Sequence, residues 1–158
     1  MSLKTEDLNR KKRLLAVASG GGHWIQLLRL RQAFEGHRIT YVTTLAGYRA
    51  QVEPNAFYVV RDASRWDRID LLIQALEILW LVVRIRPDVV VTTGAAPGYF
   101  AIRFGRWFGA GTVWIDSIAN VDELSLSGQK AGKHVDLWLT QWPHLVKQGG
   151  PYCVGAVL

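Results

Sequence analysis

A single cysteine, Cys153, stands in the 158 residues, so no internal disulfide can form and a reducing, cytosolic setting is expected. The four histidines are spread along the chain without zinc-ligand spacing, and neither a metal nor a cofactor is expected. No apolar run approaches the about 18 residues that a membrane span needs. The polar, Lys/Arg-rich opening from Met1 to Arg13 has no apolar core of the kind a secretory leader carries. Low-complexity segments and linkers are missing, so one domain over 13–158 is expected behind a polar basic segment, 1–12. Two phosphate-binding signatures are missing as well. After Gly20 and Gly22 the third glycine of the dinucleotide fingerprint would fall at Ile25, and the only Gly-Lys pair, Gly132-Lys133, is followed by His134.

What is abundant is apolar and aromatic: 49% of residues are hydrophobic and seven are tryptophan, beside a net charge of +6. Basic charge with interleaved aromatics suits an anionic membrane surface or nucleic acid. The cations are spread out and no nucleic-acid recognition motif is present, so nucleic acid is not an expected partner.

The run Val17-Ala-Ser-Gly-Gly-Gly-His-Trp24 organises the rest. A short apolar stretch, Leu14 to Ala18, meets three glycines and a histidine, and Trp24 to Phe34 then takes up helical spacing. Residues without Cβ let a ligand approach the backbone, and the helix that follows aims its free N–H groups at that ligand. A phosphate is the natural occupant of Ser19, Gly20, Gly21 and Gly22, with His23 placed to donate a hydrogen bond or act as a base. The plainer alternative is a tight connection with His23 as an exposed cap.

Further strands are expected at Arg38–Thr44, Ala56–Val60, Asp88–Thr93, Gly111–Ile115 and Asp136–Gln141, with a seventh beginning at Tyr152. Helices are expected over Trp66–Arg86, halted by Pro87, over Tyr99–Phe108, and as a short piece within Val121–Lys133. The β-branched run ending at Thr93 opens into a second small-residue turn, Gly94 to Gly98. The class is therefore α/β: a Rossmann-like, mostly parallel sheet with helices on both faces and two glycine turns sharing one crevice. Trp80, Arg84, Arg103, Arg106 and Trp107 join aromatic rings to cations and are the candidate membrane-facing residues.

Five motifs in order, Ser19-Gly-Gly-Gly-His23, Thr93-Gly-Ala-Ala-Pro-Gly98, Trp114-Ile-Asp-Ser117, Leu124-Ser-Leu-Ser-Gly128 and Gln141-Trp-Pro143, give the chain its likeness to a known family. It resembles the membrane-anchoring subunit of the split N-acetylglucosaminyltransferase of lipid-linked oligosaccharide synthesis, and bacterial PssD/CpsF-type exopolysaccharide glycosyltransferase subunits. The resemblance implies the N-terminal, acceptor-side half of a MurG-like GT-B glycosyltransferase, inactive or weakly active alone. A small separate subunit forming the C-terminal half would bind the nucleotide sugar, and the acceptor would be a sugar on polyprenyl diphosphate. It further implies that Ser19 to Gly22, Thr93, Gly94, Gly98 and Ser117 bind phosphate or acceptor, with His23 and Asp116 in acid/base or orienting roles. Asp116 stands where the family usually has an acidic residue, often the longer glutamate. The membrane helix of the eukaryotic anchor has no counterpart in these residues, so the resemblance implies either peripheral attachment at the cytoplasmic face or a membrane helix lying outside them. The alternative expectation is a standalone α/β domain that binds a nucleotide or phosphometabolite.

Overall fold

The computed structural model describes residues 10–64 and 66–157. Most of the expected polar segment, 1–12, lies outside them. Six strands form one parallel sheet: β1 (Arg13–Val17), β2 (Arg38–Thr43), β3 (Ala56–Val59), β4 (Val89–Thr92), β5 (Gly111–Ile115) and β6 (Leu137–Leu139), in the order β3-β2-β1-β4-β5-β6. Among the described residues four α-helices accompany them: α1 (Gly22–Arg29), α2 (Arg68–Ile85), α3 (Ala95–Trp107) and α4 (Leu126–Ala131).

The strands alternate between two cores, as side chains of period two must. Leu15, Val17, Val42, Val60, Val90 and Trp114 point into one, packed under α2 and α3 through Ile78, Leu81, Val82, Ala101 and Ile102. Leu14, Ala16, Tyr41, Phe57, Val91 and Ile115 point into the other, where α1 contributes Trp24 and Leu27. Both faces of the sheet are therefore covered, which is why β1 and β4 read as unbroken apolar runs.

Local chemistry sets the element ends. Asp67 caps α2 by accepting from the N–H groups of Ile69 and Asp70, each at 3.1 Å, a contact that stabilises a helix start by about 1 kcal/mol. Trp66 therefore falls just outside the helix. At the other end Arg86 turns left-handed, φ 48°, ahead of Pro87. α3 begins at Ala95 rather than at Tyr99, because Pro97 lies in its first turn, where a missing N–H breaks no helical bond. The helix expected over Trp24–Phe34 starts two residues earlier and ends at Arg29, continued by a 3-10 turn over Arg31–Phe34. The expected seventh strand is reduced to a single parallel bridge from Tyr152 to Leu139.

Candidate functional site

Reversal of strand order between β1 and β4 opens a crevice at their C-terminal ends, the place where doubly wound sheets bind ligands. Both glycine turns arrive there. They are laced together by two hydrogen bonds: the Thr93 hydroxyl donates to the His23 carbonyl oxygen at 2.6 Å, and His23 Nδ1 lies 2.8 Å from the Thr93 carbonyl oxygen. Gly94 (φ 130°) is required by this arrangement, since a Cβ there would fall 2.8 Å from the His23 ring.

The first loop is also pinned from the β2 side. Gly20 N–H donates to the Thr44 hydroxyl at 3.2 Å and Gly21 N–H to the Tyr48 hydroxyl at 3.1 Å. Tyr48 is itself stacked on Trp24, with centroids 5.1 Å apart and planes 6° off parallel. The first helical bond of α1 runs from Ile25 N–H to the Gly21 carbonyl. The N–H groups of Gly22, His23 and Trp24 therefore precede the helical ladder and define its positive end. Across the crevice, Ala95 and Ala96 open α3 in the same way. Ala95 holds φ 66°, a left-handed conformation that costs a residue with a Cβ about 1–2 kcal/mol. Gly21 and Gly22 have no atom within 4 Å of where a Cβ would stand, so that side of each is open.

Other expected residues are placed differently. Gly98 is buried inside α3 and packs on Thr92, whose hydroxyl a Cβ would overlap; its lack of a side chain serves helix-on-strand packing. Thr93 is fully buried, so it reaches the crevice through the atoms it shares with His23. Ser117 is buried, and its hydroxyl accepts from Gln26 at 3.0 Å and from Ala119 N–H at 3.2 Å.

Asp116, 1% exposed, has both carboxylate oxygens occupied. Oδ1 accepts from the Ser117 N–H (3.0 Å), the Ser125 N–H (3.4 Å) and the Asn120 amide, while Oδ2 accepts from the Ser125 hydroxyl at 3.1 Å. Ser125 in turn caps α4 at Gly128 N–H. The carboxylate thus ties the end of β5 to the start of α4. Gln26, on the buried side of α1, extends the network: its Oε1 accepts from Ile118 N–H at 3.1 Å and from Gln141 Nε2 at 2.7 Å. Nothing in the sequence separates Gln26 or Tyr48 from ordinary surface residues, whereas Gln141 lies in a motif that carried the resemblance.

On the sheet face that holds α2 and α3, Arg84 stacks on Trp80 (5.2 Å to the ring centroid) and Arg103 on Trp107 (5.4 Å). Trp80 and Trp107 are exposed. Arg106 is paired with Asp136 at 2.9 Å. Burial pushes the Asp136 carboxyl up, but hydrogen bonds from Thr112 and the charge of Arg106 outweigh it and hold the group below its ordinary value. No helix among the described residues is long and apolar enough to cross a membrane.

The sheet order, the switch-point crevice and the paired loops define half of a GT-B glycosyltransferase fold, the N-terminal half. MurG from Acinetobacter baumannii superimposes with a TM-score of 0.70 at 13% identity, over 89% of this chain and 47% of MurG. A putative UDP-N-acetylglucosamine 2-epimerase from Listeria monocytogenes gives 0.63 at 13% identity, over 89% and 40%. A glycosyltransferase from Rickettsia africae gives 0.61 at 15% identity, over 84% and 37%. At such identities the likeness is one of fold, and the chain spans less than half the length of each of these proteins. No curated protein matches the chain. The sequence model of the family described as oligosaccharide biosynthesis protein Alg14 like matches residues 59–154, more than half of the chain, and the chain belongs to that family.

Proposed function

We propose that this chain is the acceptor-side subunit of a two-part glycosyltransferase, working at the cytoplasmic face of a membrane on a sugar carried by polyprenyl diphosphate. The supporting observation is the pair of glycine loops at the switch point, joined through His23 and Thr93, with the N-terminal ends of α1 and α3 converging on one crevice. Five N–H groups, from Gly22, His23, Trp24, Ala95 and Ala96, give a diphosphate its counter-dipole without a metal or cofactor. The family membership supports an oligosaccharide-synthesis setting, and the proposal extends to exopolysaccharide synthesis of the PssD/CpsF type.

In this reading a second polypeptide, a GT-B C-terminal half, brings the nucleotide sugar against the crevice. His23 is the candidate to take the proton of the attacking acceptor hydroxyl, because its Nδ1–H faces a carbonyl and leaves Nε2 as the accepting nitrogen. Asp116 has a structural part, holding the β5–α4 connection that takes up both of its oxygens. Ser19 and the open sides of Gly21 and Gly22 contact phosphate, whereas Gly20, Thr93, Gly94, Gly98 and Ser117 shape the crevice from behind. Trp80, Arg84, Arg103 and Trp107 rest on the anionic bilayer.

The test is reconstitution. Each polypeptide alone is expected to transfer little or no labelled sugar to a polyprenyl-diphosphate acceptor, and the mixture to transfer at least a hundredfold more. Full turnover by this chain alone would exclude a split enzyme, as would a mixture no faster than its parts.

A further inference from the structure

α2 presents two faces. Gln74, Ile78, Leu81 and Val82 are buried against the sheet, while Ile69, Leu72, Leu76, Trp80 and Val83 form an exposed stripe at steps of three and four residues. Where this stripe passes the outermost strand, β3, a groove of about 420 Å³ opens, lined by Tyr58, Val59, Val60, Leu76, Trp80 and Leu81. That volume lies within the roughly 300–1,000 Å³ of small-ligand sites. The one carboxylate on its wall, Glu77, accepts from Arg61 N–H at 2.7 Å and is turned to that loop. Next to the groove the Arg84 guanidinium lies over the ring of Trp80, one of its lining residues, 5.2 Å from the centroid, and forms no ion pair with any described residue.

We infer that this groove seats one acyl chain of a bilayer phospholipid, with the lipid phosphate on Arg84. An apolar floor and, beside it, a cation with no ion pair among the described residues are complementary to a ligand that carries a hydrocarbon chain beside a negative group. A neutral apolar helix of a partner protein would cover the stripe but leave Arg84 without a counter-charge. The inference rests on the membrane-surface part of the reading above and adds a discrete lipid site to it, away from the glycine-loop crevice.

Dihexanoyl phosphatidylglycerol, held below its micellar concentration, separates this site from general adsorption to a bilayer. Calorimetric titration of the full chain is expected to show saturable one-site binding. Arg84→Glu and Val59→Asp, both at exposed positions, should each weaken it at least tenfold. Arg38→Glu makes the same charge change away from the groove and should leave it unaltered. Glycerol 3-phosphate, which lacks the chains, and dihexanoylglycerol, which lacks the phosphate, should each bind at least tenfold more weakly. Absence of saturable binding overturns the site, as does equal binding of either fragment or indifference to Val59→Asp. Sugar transfer by the reconstituted pair is read separately: transfer without short-chain lipid binding removes only the groove, and lipid binding without transfer removes only the enzyme reading.

Discussion

The ring of His23 shows how one side chain serves two loops. A carbonyl oxygen only accepts, so Nδ1 carries a proton toward Thr93 and the neutral ring keeps its lone pair on Nε2. Gly21 stands beside it at φ 72° with open space where a Cβ would go. Gly21→Val places a branched side chain in that space, at a φ of 72° and ψ of −137°, a conformation that costs a residue with a Cβ about 1–3 kcal/mol. Reconstituted transfer should fall at least tenfold while circular dichroism still reports the fold; undiminished transfer would remove the loop from the site. Asp116→Asn makes the opposite separation. An amide presents donors where Asp116 now accepts, so unfolding in urea should show a loss of about 2 kcal/mol. The protein that remains folded should transfer at a normal rate, and a folded but inactive variant would return Asp116 to the chemistry. The turn at Gly20–Gly22 was legible because an apolar run, three glycines and then helical spacing mark a strand, a turn and a helix. The sequence could not show that Gly98 faces Thr92, or that Gln26 and Ser117 meet across 91 positions, because those contacts exist only after the sheet has formed.

At the scale of elements, hydrophobic period and turn chemistry marked all six strands and the principal helices, since both cores need apolar residues at fixed spacing. What escaped them was decided at the ends. Pro97 reads as a turn residue, yet the first turn of a helix needs no N–H from it, so α3 takes in the loop as its opening turn. Tyr152 lies beyond two consecutive positive-φ glycines, Gly149 and Gly150, and after them only one bridge forms. The starts of β1 and β4 are joined by Arg13 and Asp88, whose side chains meet at 2.9 Å. The Arg13 guanidinium and backbone N–H hold the Asp88 carboxyl at about 2, below its ordinary 3.8. A folded value below the unfolded one gives stability that is complete above pH 3.8 and is lost as pH falls toward 2. After allowance for solvent screening the lowered Asp88 carboxyl contributes about 1 kcal/mol. Asp88→Asn should therefore lower stability by that amount at pH 7, with the difference shrinking below pH 3.8 and closing only as pH falls through about 2. A deficit that stays constant across that range would assign the effect to packing.

The molecule as a whole carries its crevice at one end of the sheet and the exposed Trp80, Trp107 and Phe108 on α2 and at the end of α3. If α2 lies in the plane of the bilayer, the crevice at its N-terminal end opens sideways at headgroup height, where a lipid-linked diphosphate is found. The charge reversal that tests this orientation must avoid Arg106, because a glutamate there would meet Asp136 and disturb the start of β6. Arg84 and Arg103 form no ion pair with a described residue and stack on the exposed rings of Trp80 and Trp107. Each cation near an anionic surface contributes about 1 kcal/mol, and the attraction falls off within a Debye length. Replacing both by glutamate should reduce sedimentation with phosphatidylglycerol vesicles at least tenfold. Wild-type binding should weaken as salt rises from low ionic strength. Vesicle binding indifferent to both changes would assign these helices to a protein partner, leaving that partner to bring the crevice to the lipid.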